Sequence, residues 1–283
     1  MARGLVEVPP SASILARMST PTLLGVPYDA ASSFMRGAAA GPAKIREALH
    51  SPAGNQWSET LIDVSAPGVM QDAGDIDFFL GGDALIAIEK GVERVLSIPG
   101  RPIALGGDHS VTFPIVRALR RQHPRLTILH VDAHTDLYDE FEGNRFSHAC
   151  PFARIMEAGL ADRLVQVGIR TMTGHTQSQA ARFGVEVIDM RAWCEGTRPS
   201  VEGPVYLSID LDGIDPAFAP GVGHPEPGGL SARDVIGMVQ QVTAPVVGAD
   251  IVELNPTVDP NDLTARVAAK LVKEIVARMH ADK

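Results

Sequence analysis

The chain has 283 residues, of which 45 % are apolar and 21 % are charged, so its composition is that of an ordinary globular protein. Its 25 basic and 34 acidic residues give a net charge of −9, which argues against a nucleic acid or an anionic membrane as the partner. No stretch of the sequence is long and apolar enough to cross a bilayer.

The cysteines and the first residues bear on the cellular compartment. Cys150 and Cys194 are too few for a disulfide framework or a zinc cluster, which favours a reducing compartment. Residues 1–20 contain charges and prolines and lack the continuous apolar segment of a secretory signal. We therefore expect a cytoplasmic protein in which residues 1–283 form one domain and residues 1–20 form a flexible N-terminal extension.

Short apolar segments alternate along the chain with segments of helical periodicity. Strands are predicted at residues 21–28, 71–78, 101–105, 126–131, 164–169, 185–188, 204–209 and 245–252. Helices are predicted at residues 42–49, 83–96, 111–121, 148–159, 176–183, 231–242 and 262–280. Ser231 and Asp234 are spaced as in a capping box at one helix start. Repeated alternation of this kind predicts an α/β fold with a mostly parallel central sheet covered by helices on both faces.

Three metal-capable side chains follow the strand at 126–131 at alternate positions, namely Asp132, His134 and Asp136. In an extended chain alternate side chains share a face, so these three point the same way. No Lys or Arg separates them, so the ionised carboxylates repel each other unless a cation lies between them. The alternative interpretation is an acidic loop exposed to solvent, because a motif stays a hypothesis until its structural context is known.

Other strand ends carry residues of the same kind: His109, the pair Asp210 and Asp212, and Glu253. In open α/β sheets ligands bind beyond the carboxyl ends of the strands, so we expect these groups to converge with the first. The resulting four carboxylates and two imidazoles are too many ligands for one ion and suit two. Such an oxygen-rich set favours Mn²⁺, with Mg²⁺, Co²⁺ or Ni²⁺ as alternatives. A pair of ions can activate a shared water, which implies metal-assisted hydrolysis.

Four motifs, in the same order along the chain, resemble those of the ureohydrolases, the family that contains arginase and agmatinase. They are Gly106-Gly-Asp-His-Ser110, Asp132-Ala-His-Thr-Asp136, Ser208-Ile-Asp-Leu-Asp-Gly-Ile-Asp-Pro216 and Glu253-Leu-Asn-Pro256. The resemblance implies an enzyme with two Mn²⁺ per chain that hydrolyses a small guanidino substrate to urea and an amine. It also implies a three-layer α/β/α sandwich of the arginase/deacetylase type, assembled as a homotrimer or homohexamer.

The resemblance further implies which residues hold the metal ions. One ion would be bound by His109 and Asp136, the other by His134 and Asp212, and the bridging carboxylates would be Asp132 and Asp210.

Catalytic and substrate-binding roles follow from the same resemblance. Glu253 would pair with the substrate guanidinium, His148 would shuttle protons and contact the substrate, and Asp136, on the metal, would relay the proton of the nucleophile. From the residues alone, a cap at the start of the helix that follows is the favoured interpretation of His148. Arg36 and Asn144 are candidate substrate contacts by their proximity to the motifs, and so is His224, for which a surface position is the alternative.

The choice of guanidino compound depends on two loops. Tyr138 and the acid-free segment Thr171-Met-Thr173 depart from the animal arginase pattern and favour the agmatinase branch. Segments 32–34, 140–148 and 218–229 resemble those of plant arginases, which use L-arginine. We expect hydrolysis of agmatine to putrescine and urea, with L-arginine or a guanidino acid such as guanidinobutyrate as alternatives. A zinc amide deacetylase and a non-catalytic scaffold are the competing classes, and the complete ligand set argues against both.

Overall fold

The structure is a computed structural model that describes residues 19–78 and 82–282. Its strands are β1 (Thr20–Val26), β2 (Gln71–Asp75), β3 (Gly100–Gly106), β4 (Thr127–Val131), β5 (Arg163–Ile169), β6 (Glu186–Asp189), β7 (Val205–Asp210) and β8 (Val246–Val252). They form one sheet in the order β2-β1-β3-β8-β7-β4-β5-β6, and every neighbouring pair is parallel.

Helices connect these strands and cover the sheet. They are α1 (Gly41–Leu49), α2 (Ala84–Ser97), α3 (Thr112–Arg120), α4 (Pro151–Glu157), α5 (Gly174–Phe183), α6 (Met190–Cys194), α7 (Ala232–Gln241) and α8 (Leu263–His280). None of the helices in the described ranges has the length and apolar character needed to span a membrane.

Two apolar cores lie on opposite faces of the sheet because neighbouring strand residues point to opposite sides. On β3, Ile103 packs into one core, with side chains from α1, α7 and α8. The adjacent Ala104 packs into the other, with side chains from α2, α3 and α4. The central strands β3 and β8 are buried along their whole length, as parallel strands covered on both faces must be. The expected three-layer α/β/α sandwich is therefore confirmed.

The strand order decides where a site can form. The four central strands, β3, β8, β7 and β4, are neighbours in the sheet although β3 and β8 are far apart in sequence. Their carboxyl ends lie side by side on one edge, at the point where the chain changes direction across the sheet. This is the place at which open α/β sheets bind ligands.

Local details both agree with and differ from the predicted elements. Ser231 and Asp234 form the predicted capping box at the start of α7. Helix α4 begins at Pro151, so His148 lies in the preceding turn and not in the helix predicted from residue 148. Helix α6 was not predicted. Residues 1–18 of the predicted N-terminal extension lie outside the described residues, whereas Thr20 already belongs to β1.

Candidate active site

The polar residues at the ends of the four central strands meet at the carboxyl edge of the sheet. His109 follows β3, Glu253 follows β8 and Asp210 is the last residue of β7. Asp132 follows β4. The two glycines before His109 allow this convergence, because a Cβ atom at Gly107 would clash with the backbone of Tyr28.

The imidazole of His109 faces three carboxylates. Its Nδ1 atom lies 3.1 Å from Oδ2 of Asp136, 3.1 Å from Oδ2 of Asp210 and 3.2 Å from Oδ2 of Asp132. His109 is fully buried, and Nδ1 has no hydrogen-bond partner among the described residues. Three carboxylate oxygens thus lie within 3.2 Å of this nitrogen. A divalent cation between the nitrogen and the carboxylates would offset their negative charge, and imidazole and carboxylate are both ligands that such cations accept.

The opposite side of the His109 ring fixes its tautomer. Nε2 lies 3.0 Å from Oγ of Ser208, and the Ser208 hydroxyl donates to Oδ1 of Asp250 at 2.7 Å. A serine whose proton goes to a carboxylate can only accept from the imidazole, so Nε2 carries the hydrogen. In the neutral imidazole Nδ1 is then the unprotonated nitrogen and is available as a ligand, which is the arrangement that hydrogen bonds behind a metal-binding histidine produce.

Asp132 uses its two oxygens in two directions. Oδ2 faces His109, while Oδ1 lies 3.4 Å from Nδ1 of His134. The same Nδ1 atom of His134 is 3.1 Å from Oδ2 of Asp212. A second group of metal-capable atoms, from Asp132, His134 and Asp212, therefore adjoins the first and shares Asp132 with it. His130 lies behind this carboxylate and contacts its Oδ2 through Nε2 at 2.8 Å.

The carboxylates of this cluster destabilise one another in the absence of positive charge. Burial, together with the neighbouring Asp212 and Asp132, raises the pKa of Asp210 well above its usual range. Burial, and then Asp132, raises the pKa of Asp212 to about 6. Both carboxyl groups would be ionised more easily next to a cation. The chemistry of the ligand set and its electrostatics thus fit bound metal.

Two site residues have an uncommon backbone conformation. Asp136 has a φ of 50° and Glu253 a φ of 65°, in the left-handed region that residues other than glycine seldom adopt. Such strain costs on the order of 1–3 kcal/mol per residue and is concentrated at functional sites. The rest of the fold must therefore hold both carboxylates where they are.

Glu253 and His148 form an ion pair beside the metal-capable cluster. Oε1 of Glu253 accepts the backbone N–H of His109 at 2.8 Å and lies 3.0 Å from Nδ1 of His148. Nε2 of the same histidine faces Ser33, at 3.2 Å from its backbone nitrogen and 2.9 Å from its Oγ. Burial lowers the pKa of His148, but Glu253 outweighs it and raises that pKa to about 9.

A cavity of about 220 Å³ joins the two groups of residues. Its walls include His134, Asp136, Asp210 and Asp212 on one side and His148 and Glu253 on the other. His224 also lines it, with its ring 5.1 Å from that of His148 and 6.1 Å from that of His134, measured between centroids. The predicted site residues named in this paragraph thus face one cavity.

The side chains of Asn144 and Arg36 make hydrogen bonds within their own loops. The side-chain oxygen of Asn144 accepts the backbone N–H of Phe146 at 2.8 Å, so it closes its own loop, and Asn144 does not line the cavity. Arg36 donates to the carbonyl of Ala30 at 2.9 Å within its own loop.

Sequence reasoning missed two residues that support the site. Ser33 lies after β1, in a segment noted only for its resemblance to plant arginases, and it meets His148 across 115 positions of sequence. Asp250 is fully buried inside β8 and accepts hydrogen bonds from Thr112, Tyr206 and Ser208. A lone carboxylate within an apolar strand was the signal for Asp250, since buried charges need dedicated partners.

Comparisons with known proteins agree with this geometry. Residues 19–277 match the family described as "Arginase family". "Arginase 1, mitochondrial" of Arabidopsis thaliana is 47 % identical over 93 % of this chain and 82 % of its own length. "Agmatinase" of Bacillus anthracis is 34 % identical over 90 % of each chain. A solved structure, "Arginase from Medicago truncatula", superposes with a TM-score of 0.87 at 41 % identity and covers 95 % of both chains.

The relatives contradict the cytoplasmic location expected from the sequence. The Arabidopsis protein and further plant relatives are named mitochondrial, or chloroplastic/mitochondrial. The expectation was wrong because cysteine usage distinguishes reducing from oxidising compartments and does not distinguish one reducing compartment from another.

The matched family therefore covers nearly all of the described chain, and the plant relative and the solved structure share its sequence and fold over more than nine-tenths of this chain. The chain belongs to the arginase family, the metal-dependent ureohydrolases, which act on the C–N bonds of linear amidines.

Proposed function

We propose that this chain is an arginase, which hydrolyses L-arginine to L-ornithine and urea with two Mn²⁺ ions. The identity of 47 % to a plant arginase, against 34 % to an agmatinase, favours L-arginine over the agmatine first expected from the sequence. The observation that carries the proposal is the single cavity in which a paired set of metal-capable residues adjoins the Glu253–His148 ion pair.

The proposed ligands are the six residues expected from the motifs. His109 and Asp136 would hold one ion and His134 and Asp212 the other. Asp132 would bridge them, which is supported by its two oxygens facing different histidines. Asp210 is the second proposed bridge. Four carboxylates with two imidazoles suit Mn²⁺, and bound ions would supply an activated water and stabilise developing charge.

Glu253 is the proposed partner of the substrate guanidinium. Both hydrogen bonds that the described residues make to its carboxylate go to Oε1, and the side chain lines the cavity. Oε2 is therefore available for a planar guanidinium, which pairs with carboxylates through charge-assisted, directional hydrogen bonds. Water then adds to the guanidinium carbon, and the C–N bond to the side-chain nitrogen breaks to release urea.

His148 is the proposed proton carrier for this reaction. The departing nitrogen leaves as an amine and must gain a proton, and an imidazole positioned in the cavity can supply it. Asp136 would pass on the proton of the attacking water.

His224 is the proposed contact for the amino-acid end of the substrate. The described residues make only ring contacts with it, to Phe34, His134 and His148, and its nitrogens have no hydrogen-bond partner there. Burial, and then the neighbouring His148, lowers the pKa of His224. A neutral imidazole can donate one hydrogen bond and accept another, which suits a substrate with both a carboxylate and an ammonium group.

Urea release after loading with Mn²⁺ tests the proposal. We expect kcat/KM to be at least about tenfold higher for L-arginine than for agmatine or guanidinobutyrate, a difference of about 1.4 kcal/mol in transition-state binding. Asp132→Asn should remove the activity while the circular dichroism spectrum stays that of the wild type. A preference for agmatine would overturn the substrate assignment, and full activity of the Asp132→Asn enzyme would overturn the ligand assignment.

The domain organisation and assembly expected from the sequence stay predictions. A single domain over residues 1–283 would give one cooperative unfolding transition. A homotrimer or homohexamer would be distinguished from other states by light scattering coupled to size-exclusion chromatography.

A further inference from the structure

We propose that Ser33 is a positioning residue for His148, whose hydroxyl holds the imidazole ring and exchanges a hydrogen bond with Nε2 as that histidine gains and loses its proton. The inference rests on the proposed function, in which His148 carries protons for the hydrolysis. It adds a residue from a loop that no catalytic motif includes.

The contacts of the His148 ring leave one nitrogen for proton exchange. Nδ1 is 3.0 Å from Oε1 of Glu253, so it keeps its hydrogen and donates to that carboxylate. Nε2 faces Ser33. The proton that His148 exchanges is therefore the one at Nε2, and Ser33 is the residue in contact with that atom.

Ser33 offers Nε2 two groups of different character. Its backbone N–H, at 3.2 Å, can only donate, so it matches the unprotonated nitrogen. Its hydroxyl, at 2.9 Å, can donate to the unprotonated nitrogen or rotate and accept from the protonated one. Without the hydroxyl, the protonated Nε2 would face an N–H donor and have no acceptor from this loop. The hydroxyl is thus the group that serves both states of the histidine.

The loop that carries Ser33 is held firmly on both sides of it. Oδ2 of Asp108 accepts the N–H of Ala31 at 2.9 Å, and Asn255 donates to the carbonyl of Met35 at 2.8 Å. The N–H of His148 itself donates to the carbonyl of Ala31 at 3.2 Å. The loop and the histidine are therefore tied to each other through the backbone, and Ser33 lines the same cavity as His148.

Other charged and titratable groups also act on His148. Glu253, Asp136 and Asp108 favour its protonated form, and the ring of His224 packs at 5.1 Å. Among the described residues, none of these groups makes a hydrogen bond to Nε2 of His148. None therefore duplicates the hydroxyl of Ser33 at that atom.

The loop contains a matched control for the test. Ser32 is the neighbouring residue, and its hydroxyl points to Oδ2 of Asp108 at 3.3 Å and not to His148. Removal of either hydroxyl changes the loop by one oxygen atom, but only one of them touches the histidine.

Steady-state urea release from L-arginine by the manganese-loaded, full-length enzyme tests the inference. Ser33→Ala should lower kcat by at least about tenfold, because general acid–base catalysis contributes about 10²–10⁴-fold and depends on the placement of the group. KM should change by less than about threefold, since the proton transfer follows binding. Ser33→Thr keeps a hydroxyl and should restore kcat to within about threefold of the wild type, and Ser32→Ala should stay equally close.

The alternative outcomes separate this inference from the proposed function. An unchanged kcat in Ser33→Ala, an equal loss in Ser32→Ala, or a failure of Ser33→Thr to restore kcat would overturn the role of the hydroxyl alone. Wild-type enzyme that releases no urea would overturn both. Circular dichroism and manganese content, measured on each variant, should match the wild type and so exclude a folding defect as the cause of a lower kcat.

Discussion

At the scale of single residues, the site depends on groups that lie behind the proposed ligands. His109 presents Nδ1 to three carboxylates only because Ser208 accepts from its Nε2, and Asp250 in turn fixes the direction of the Ser208 hydroxyl. The order of these hydrogen bonds selects the tautomer. A change behind the ring should therefore alter metal binding although it replaces no proposed ligand.

Ser208→Ala tests this dependence. We expect the affinity for Mn²⁺ to fall about 10–100-fold, because Nε2–H loses its acceptor and the ring loses its preferred orientation. Isothermal titration with Mn²⁺ measures the affinity directly, and a titration of activity with Mn²⁺ should show the same shift.

Thr112→Val is the matched control for that change. Thr112 donates to the same carboxylate, Oδ2 of Asp250 at 2.7 Å, but does not contact His109. The control should bind Mn²⁺ more tightly than Ser208→Ala does. Equal affinity in Ser208→Ala and the wild type would show that Ser208 does not orient His109.

At the scale of elements, the chain end that follows α8 is fastened to the sheet by a buried cluster of charges. Asp282 pairs with Arg101 of β3 at 2.9 Å and with Arg278 of α8 at 2.7 Å, and all three side chains are at least 92 % buried. Arg101 also donates to the carbonyls of Met279 and Val246. Arg278 donates to the carbonyls of Val242 and Ala244.

Asp282→Ala should destabilise the protein by about 3–5 kcal/mol, because it leaves two buried guanidinium groups without their carboxylate. Chemical denaturation measures the change in the free energy of unfolding. Glu186→Ala breaks a pair with Arg163 that is exposed on both sides, and it should cost less than about 1 kcal/mol. A similar cost for both variants would mean that burial of the first pair has no special effect.

A second charged network joins a loop to two helices and predicts a pH dependence. Burial raises the pKa of Glu274, but hydrogen bonds from Lys270, Gln240 and the backbone of Glu59 outweigh it and lower that pKa overall. The unfolded chain therefore binds this proton more readily than the folded one. The stabilisation that ionised Glu274 provides is complete above its pKa in the unfolded chain, about 4.5, and is lost as the pH falls through its lower pKa in the folded chain.

Glu274→Gln should remove this contribution. The difference in unfolding free energy between wild type and variant, measured by urea denaturation without added metal, should be largest near neutral pH and shrink as the pH falls below about 4.5. A difference that stays constant between pH 7 and pH 3 would contradict the prediction.

Much of the local structure could be predicted because most strands are short apolar runs with turn residues around them. All eight strands of the described residues overlap with predicted ones, although β2 is polar and shorter than predicted. Helix α6 was missed because five residues are too few to show helical periodicity, although Asp189 caps it by accepting from the N–H of Ala192. The proposed ligand residues were recognised since they lie at the ends of strands or shortly after them. Ser33 was not, because its approach to His148 depends on how a loop folds back.

At the scale of the whole molecule, the strand order was the part that local patterns could not supply. The alternation of strands and helices predicts a parallel sheet but does not say which strands are neighbours. Pairing of β3 with β8, and of β8 with β7, joins segments that are separated by the intervening chain. The convergence of the site residues could nevertheless be expected, because the carboxyl ends of parallel strands share one edge whatever the order.

That strand order has a consequence for how the molecule is made. β3 and β4 follow each other in sequence, yet β8 and β7 lie between them in the sheet. The segments synthesised first therefore cannot close around the site, and the gap between them is filled only by β7 and β8, the last two strands of the described residues. Contacts of such long sequence separation form slowly. On the ribosome, the capacity to hold metal should accordingly arise late in folding, after β8 has emerged.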